Sequence, residues 1–173
     1  MKTKLILLAV LVTLILSVNA QNTDNQPIKV GVGAMIGLPM GDLNDMASLA
    51  WGIDVMGEYA VDPSFALTLS IGYVDFVLKS EYKDMLDELD LDAKMGMIPV
   101  LAGAKYFFTD NLYGSGQIGI SFSTQKDGGS AFTFAPGIGY KMSENLDLLL
   151  KYQSASDDGA DMSFLGLRVG ISF

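Results

Sequence analysis

Eight ionisable residues recur at spacings that could support chemistry: Lys29, Asp54, Glu58, Lys105, Lys141, Asp147, Lys151 and Arg168. The chain holds neither histidine nor cysteine. That removes the Ser–His and Cys–His arrangements of nucleophilic catalysis, along with any thiolate metal site or disulfide. Asp54 and Glu58 share one face of a strand but stand four residues apart. At roughly 3.3 Å per residue they are about 13 Å from each other, beyond the reach of a glycosidase pair. The chain therefore reads as non-enzymatic, with no catalytic, cofactor-binding or metal-ligating set. The chemistry left is electrostatic. Charges inside a narrow interior must pair and hydrogen-bond, or they must line an open path. Lys29, Lys105, Lys141, Lys151 and Arg168 against Asp54, Glu58 and Asp147 leave a cationic surplus, which in an open path would favour anions. The whole chain, by contrast, carries a formal charge of −9, which argues against nucleic acid as a partner.

The elements that must position these residues alternate with period two. Strands are expected over about 28–38, 49–60, 65–77, 95–108, 112–123, 131–142, 146–155 and 162–173. The first sets Ile28, Val30, Val32, Ala34 and Ile36 against Lys29, Gly31, Gly33 and Met35. The last sets Leu165, Leu167, Val169, Ile171 and Phe173 against Phe164, Gly166, Arg168, Gly170 and Ser172. Each run is long enough for a tilted membrane strand, and the number is even. The fold expected is all-β: an eight-stranded antiparallel transmembrane β-barrel, connected as an up-and-down meander. The ionisable residues all take the inward face, joined by Thr68, Ser70, Tyr113 and Gln117. A barrel of this size has an interior only wide enough for its own side chains. A plug of ion pairs is expected there, with ordered water in the gaps left by inward glycines. Pro99, inside a strand, is expected to mark a bulge or a weak stretch of ladder.

Short turns alternate with longer links. Asp62-Pro63-Ser64, Thr109-Asp110-Asn111 and Ser143-Glu144-Asn145 are strong turn formers, and the links about 39–48, 78–94, 124–130 and 156–161 lie between them. In the outer membrane the short turns are periplasmic, which would put both termini there too. The outward aromatics then form two girdles: Tyr59, Phe65, Tyr106, Phe108, Tyr140 and Phe173 on the terminal rim, and Trp51, Tyr73, Phe122, Phe132 and Tyr152 on the other. The longest link is acidic, with Asp75, Glu81, Asp84, Asp87, Glu88, Asp90 and Asp92 around it. It lacks the spacing and glycine of an EF-hand. Met85, Leu86, Leu89 and Leu91 suggest a brief packed helical turn. Asp157, Asp158 and Asp161 repeat the acidity in the last link.

The ends of the chain carry addresses. Lys2 and Lys4 precede the apolar run Leu5 to Leu16, and Val18-Asn19-Ala20 closes it with small residues. This is the pattern of a secretory signal peptide over residues 1–20, cleaved after Ala20. The run is too short for a helical membrane span of about 20 residues. Residues 21–27 are expected to form a flexible N-terminus, and 28–173 the barrel. No cysteine follows the run, so a lipoprotein is not expected. At the other end, alternation from Leu165 stops on Phe173, which resembles the signal read by the outer-membrane assembly machinery.

The mature chain as a whole resembles the small outer-membrane β-barrel proteins, the OmpA/OmpX-like barrel domains. The segment Ile98-Pro99-Val100-Leu101-Ala102-Gly103-Ala104-Lys105-Tyr106-Phe107-Phe108 is similar to a strand of such barrels, with an Ile-Pro start and a Lys-Tyr-aromatic end before a turn. The resemblance implies the cell outer membrane of a Gram-negative-type bacterium. It implies contact with membrane lipid and lipopolysaccharide, and dependence on the barrel assembly machinery and periplasmic chaperones. Barrel enzymes of that membrane use a catalytic histidine, absent here. No peptidoglycan-binding domain is expected after the barrel, so that role is not expected to carry over. The leading expectation is a structural or surface-interaction barrel acting through its acidic loops, whose ligand is not legible. The alternatives are a narrow channel and a soluble lipocalin-like binder of an apolar ligand. The last would reverse the two faces.

Overall fold

Eight strands alternate between buried and exposed residues along their length, as the period-two pattern requires. In the computed structural model, which describes residues 28–88, 94–125, 128–157 and 160–173, these are β1 (Ile28–Met40), β2 (Ala47–Asp62), β3 (Phe65–Leu78), β4 (Met95–Phe107), β5 (Leu112–Ser123), β6 (Ser130–Lys141), β7 (Leu146–Asp157) and β8 (Ala160–Ser172). They pair in chain order as a closed antiparallel barrel, β1 meeting β8 from Gly31↔Ser172 to Met40↔Ser163. Closure leaves no sheet edge with unpaired backbone groups, which a bilayer would penalise. The expected signal peptide (1–20) and N-terminus (21–27), and Leu89, Asp90, Leu91, Asp92 and Asp158, lie outside the described residues.

Several strands outrun their expected bounds, because backbone groups near the rim gain partners by continuing the ladder. β2 begins at Ala47, paired to Leu78, and β7 meets β8 out to Asp157↔Ala160. The link expected over 156–161 is therefore mostly ladder. The link after β1 turns at Gly41, whose φ of +58° suits glycine, into the single turn α1 (Leu43–Met46). The link after β3 holds α2 (Ser80–Glu88), longer than the brief turn expected. Its Tyr82 and Leu86 pack inward, while Met85 remains exposed. Glu81, Asp84 and Glu88 are exposed.

The outer surface is apolar. Ile36, Leu69 and Ile118 are 60 %, 63 % and 60 % exposed, a level that a water-facing domain avoids and a lipid-facing band requires. Inside, the barrel has two storeys. Away from the termini, Met35, Val74, Phe76, Met97 and Phe164 form an apolar core, closed over by Leu43 of α1. Phe76 and Phe164 meet edge to face at 5.9 Å. This storey confines the plug of ion pairs to the terminal half of the interior. The inward positions of β3 turn apolar from Val74 onward, so polar alternation fades towards that end.

Candidate functional site

The terminal half of the interior is polar, and the strands deliver its charges from different sides of the barrel. Arg168 on β8 is 2 % exposed and grips Asp54 on β2 with two nitrogens, Nε at 2.8 Å and Nη2 at 2.7 Å. Its Nη1 reaches Asp147 on β7 at 3.4 Å. Asp147 accepts a short hydrogen bond from the Tyr113 hydroxyl on β5 and stands 4.0 Å from Lys105 Nζ on β4. Lys105 in turn bonds Glu58 at 2.7 Å. One connected chain thus runs Asp54–Arg168–Asp147–Lys105–Glu58, with carboxylates separated by cations. The alternation satisfies what buried charges require: each is paired and hydrogen-bonded within a low-dielectric space.

Three of the eight residues stand outside this chain. Lys151 is buried, and its Nζ bonds Gln153 Oε1 at 3.0 Å, with no ion pair among the described residues. Gln153 Nε2 finds no acceptor among the described residues. Lys141 lies at the terminal mouth, its Nζ 4.1 Å from the centre of the Phe107 ring. Lys29 is exposed at the same mouth. The buried charges are thus the cations Lys105, Lys151 and Arg168, faced by the partly buried carboxylates Asp54, Glu58 and Asp147. The cationic surplus expected along the interior belongs to two rim lysines instead.

Inward glycines make room for the large side chains. A Cβ at Gly33 or Gly170 would strike the Arg168 guanidinium, and one at Gly139 would strike the Tyr113 ring. At Gly166 it would meet Met35 Sδ at 2.7 Å. These gaps hold side chains. Gly52 and Gly72 differ: with Lys151, Asp54, Ser70 and Gln117 they line a cavity of about 20 Å³, room for a single water molecule. Gln117 Nε2 bonds Ser70 Oγ at 3.1 Å and Thr68 Oγ1 at 3.3 Å. Phe107 was not singled out by its sequence. Yet it stands at the next inward position after Lys105, tilted against Tyr113 at 5.3 Å.

The aromatics assigned to the two girdles all lie on the outward face. At the terminal rim Phe65 pairs across the ladder with Tyr106, which meets Phe108 edge to face at 5.5 Å. Tyr59, Tyr140 and Phe173 complete that ring, each about half exposed. At the opposite rim Trp51 meets Tyr73 at 6.0 Å, and Tyr152 meets Phe134 at 6.0 Å. Phe122 and Phe132 are exposed beside them.

An apolar exterior between two aromatic rings, closed around an interior of paired charges, defines a transmembrane β-barrel. The chain belongs to the outer membrane protein beta-barrel domain family, which it matches over residues 8–173. Its place is the outer membrane of a Gram-negative-type bacterium, in contact with the lipid there. Among solved structures it is similar to Ail, the attachment invasion locus protein of Yersinia pestis, with a TM-score of 0.59 and 14 % identity, covering 84 % of this chain and 97 % of that one. It is similar also to the N-terminal β-barrel domain of Pseudomonas aeruginosa OprF, with a TM-score of 0.54 and 14 % identity over 84 % of this chain and 97 % of that one. A de novo designed transmembrane β-barrel gives a TM-score of 0.52 and 16 % identity, with 87 % and 100 % covered. No curated protein matches the sequence. The soluble lipocalin-like alternative fails on the family and on the faces, because the apolar side points outward.

Proposed function

We propose that this barrel is a non-enzymatic surface protein that works through its far-rim connections, with the barrel as a sealed anchor. The observation that carries this reading is the filled interior, polar in one half and apolar in the other. The chain has no histidine or cysteine to form a Ser–His or Cys–His pair, and among the described residues the buried ionisable groups are held by one another or by a neighbouring amide. In this reading residues 1–20 are the export signal, removed after Ala20. Periplasmic chaperones and the assembly machinery receive the chain, and Phe173 is the recognition end. The termini and the three short turns face the periplasm. The far rim, with α2 and its exposed Glu81, Asp84 and Glu88, faces outward.

The reading is tested by refolding residues 21–173 into a planar bilayer and recording current. A heat-shifted gel band with a silent bilayer is the expected result. Steady single-channel steps would replace the anchor with the narrow channel. Protease added to intact cells reads the orientation, with cleavage expected near α2 and none at the termini.

A further inference from the structure

Five of the chain's ten methionines meet in the apolar storey at the far rim. Met35 and Met97 lie within it, 5 % and 1 % exposed. Met46, Met95 and Met162 pack against it while only partly buried, and so form its border with solvent. A seal needs apolar atoms there, but leucine would supply them as well. The three border methionines also sit where the caps are fastened. Met46 ends α1, and its carbonyl accepts the Lys79 N–H at 2.9 Å, one residue before α2 begins. Met95 opens β4, beyond the link that carries α2, and lies across the ladder from Phe76. Met162 on β8 lies across from buried Ala155 on the other side of the barrel. Tyr82 and Leu86 of α2 pack against the same storey.

A thioether is apolar and flexible, and it can be oxidised to a polar sulfoxide. Peroxide supplies the oxygen. A sulfur lone pair attacks one peroxide oxygen and the O–O bond breaks. The sulfur gives up two electrons, and the rest of the peroxide leaves as water. The buried residues of the storey are all apolar and offer the new oxygen no side-chain donor. An oxidised border methionine is therefore driven out to solvent. Its departure removes packing that holds α1 and α2 onto the storey.

The structure assigns Met46, Met95 and Met162 to a peroxide-sensitive clasp: their oxidation to sulfoxide releases α2 from the far rim, their reduction restores it, and Met35 and Met97 stay shielded beneath. The use of such a clasp at the cell surface rests on the far rim facing outward, as proposed above; the clasp itself does not.

Residues 21–173, folded in detergent, would be held in hydrogen peroxide for increasing times and then given trypsin, which cuts after Lys79 and Lys83, before and within α2. Peptide masses identify each oxidised methionine. Met46, Met95 and Met162 should take up oxygen before Met35 and Met97. Cleavage after Lys83 should quicken about tenfold as they do, because cleavage of a transiently opened segment tracks its open population. Methionine sulfoxide reductase with dithiothreitol should restore the slow rate. The triple variant Met46→Leu, Met95→Leu, Met162→Leu keeps the packing volume and leaves the exposed Met40 and Met85 in place. Its cleavage should stay slow in peroxide. Met46→Leu alone should blunt the acceleration, and it serves if the triple variant gives no heat-shifted gel band. Acceleration undiminished in the variants would overturn the clasp. So would oxidation of the border methionines without acceleration, or oxidation no earlier than at Met35 and Met97. Loss of the heat-shifted band on oxidation would overturn it too, because the whole barrel would have opened. If the acceleration holds but protease on intact cells places the far rim in the periplasm, the surface use falls while the clasp stands.

Discussion

Arg168 holds two carboxylates at once, and its two attachments differ. Asp54 binds it through two nitrogens, whereas Asp147 reaches it at 3.4 Å and is shared with Tyr113 and Lys105. Removing one partner of a buried pair leaves an uncompensated charge. Asp54→Asn should therefore destabilise the barrel by about 3–5 kcal/mol. Glu58→Gln removes a charged hydrogen bond at the mouth, where Lys105 still has Asp147, and should cost about 1.5–3 kcal/mol. Urea unfolding of each variant in phospholipid vesicles, followed by Trp51 emission, measures both. Equal losses would contradict a graded network. Side-chain parity was legible here: all eight ionisable residues point inward or into the terminal mouth, because each lies on the polar phase of its strand. Partners were not legible. Parity sets a side, whereas the register that places Arg168 over Gly33 is fixed by eight ladders together. Lys151 illustrates the difference, inward by parity yet bonded to Gln153 and not to a carboxylate.

Strands were readable as elements and less so at their ends, where ladder pairing decides how far an extension runs. Pro99 shows what a local signal can and cannot say. The β3–β4 ladder runs to Ile71↔Val100 and resumes at Val74↔Met97 with the register unchanged. The proline removes a donor from the ladder without inserting a residue, so the weak stretch was the correct half of the expectation and the bulge the wrong one. Pro136 does the same against β7, where pairing stops at Phe134↔Ser154 and resumes at Gly137↔Lys151. The β7–β8 ladder runs unbroken from Leu146↔Ile171 to Asp157↔Ala160. Amide exchange in detergent micelles should therefore be faster at Gly72, Tyr73 and Ala135 than at Leu149 and Leu167 in mid-barrel. Uniform protection across the three seams would show that neighbouring strands compensate for the missing donors. The apolar storey escaped the reading for a related reason. Near the far rim the apolar residues of β3 fall on both faces, Val74, Phe76 and Leu78 inward and Tyr73 and Val77 outward, and a period-two argument cannot then tell lipid from core.

At the scale of the whole molecule, the two storeys seal the barrel by different physics and in series. The lower one excludes a path because its side chains are bonded to one another, and the upper one because Met35, Phe76, Met97 and Phe164 fill the section with apolar atoms. A hydrated ion crossing the upper storey would lose its water without gaining a partner, which is the larger barrier. Breaking only the ion pairs should not open the barrel. The charge-balanced double variant Asp54→Ala with Arg168→Ala widens the lower storey, yet current should remain absent in a planar bilayer. Phe76→Ala with Phe164→Ala widens only the upper storey, and the lower network should keep that variant silent too. The four substitutions together should conduct, provided a heat-shifted gel band shows that the barrel has folded. Conduction by the ion-pair variant alone would mean that the apolar storey yields to water, and the barrel would then be a gated channel instead of a plugged anchor.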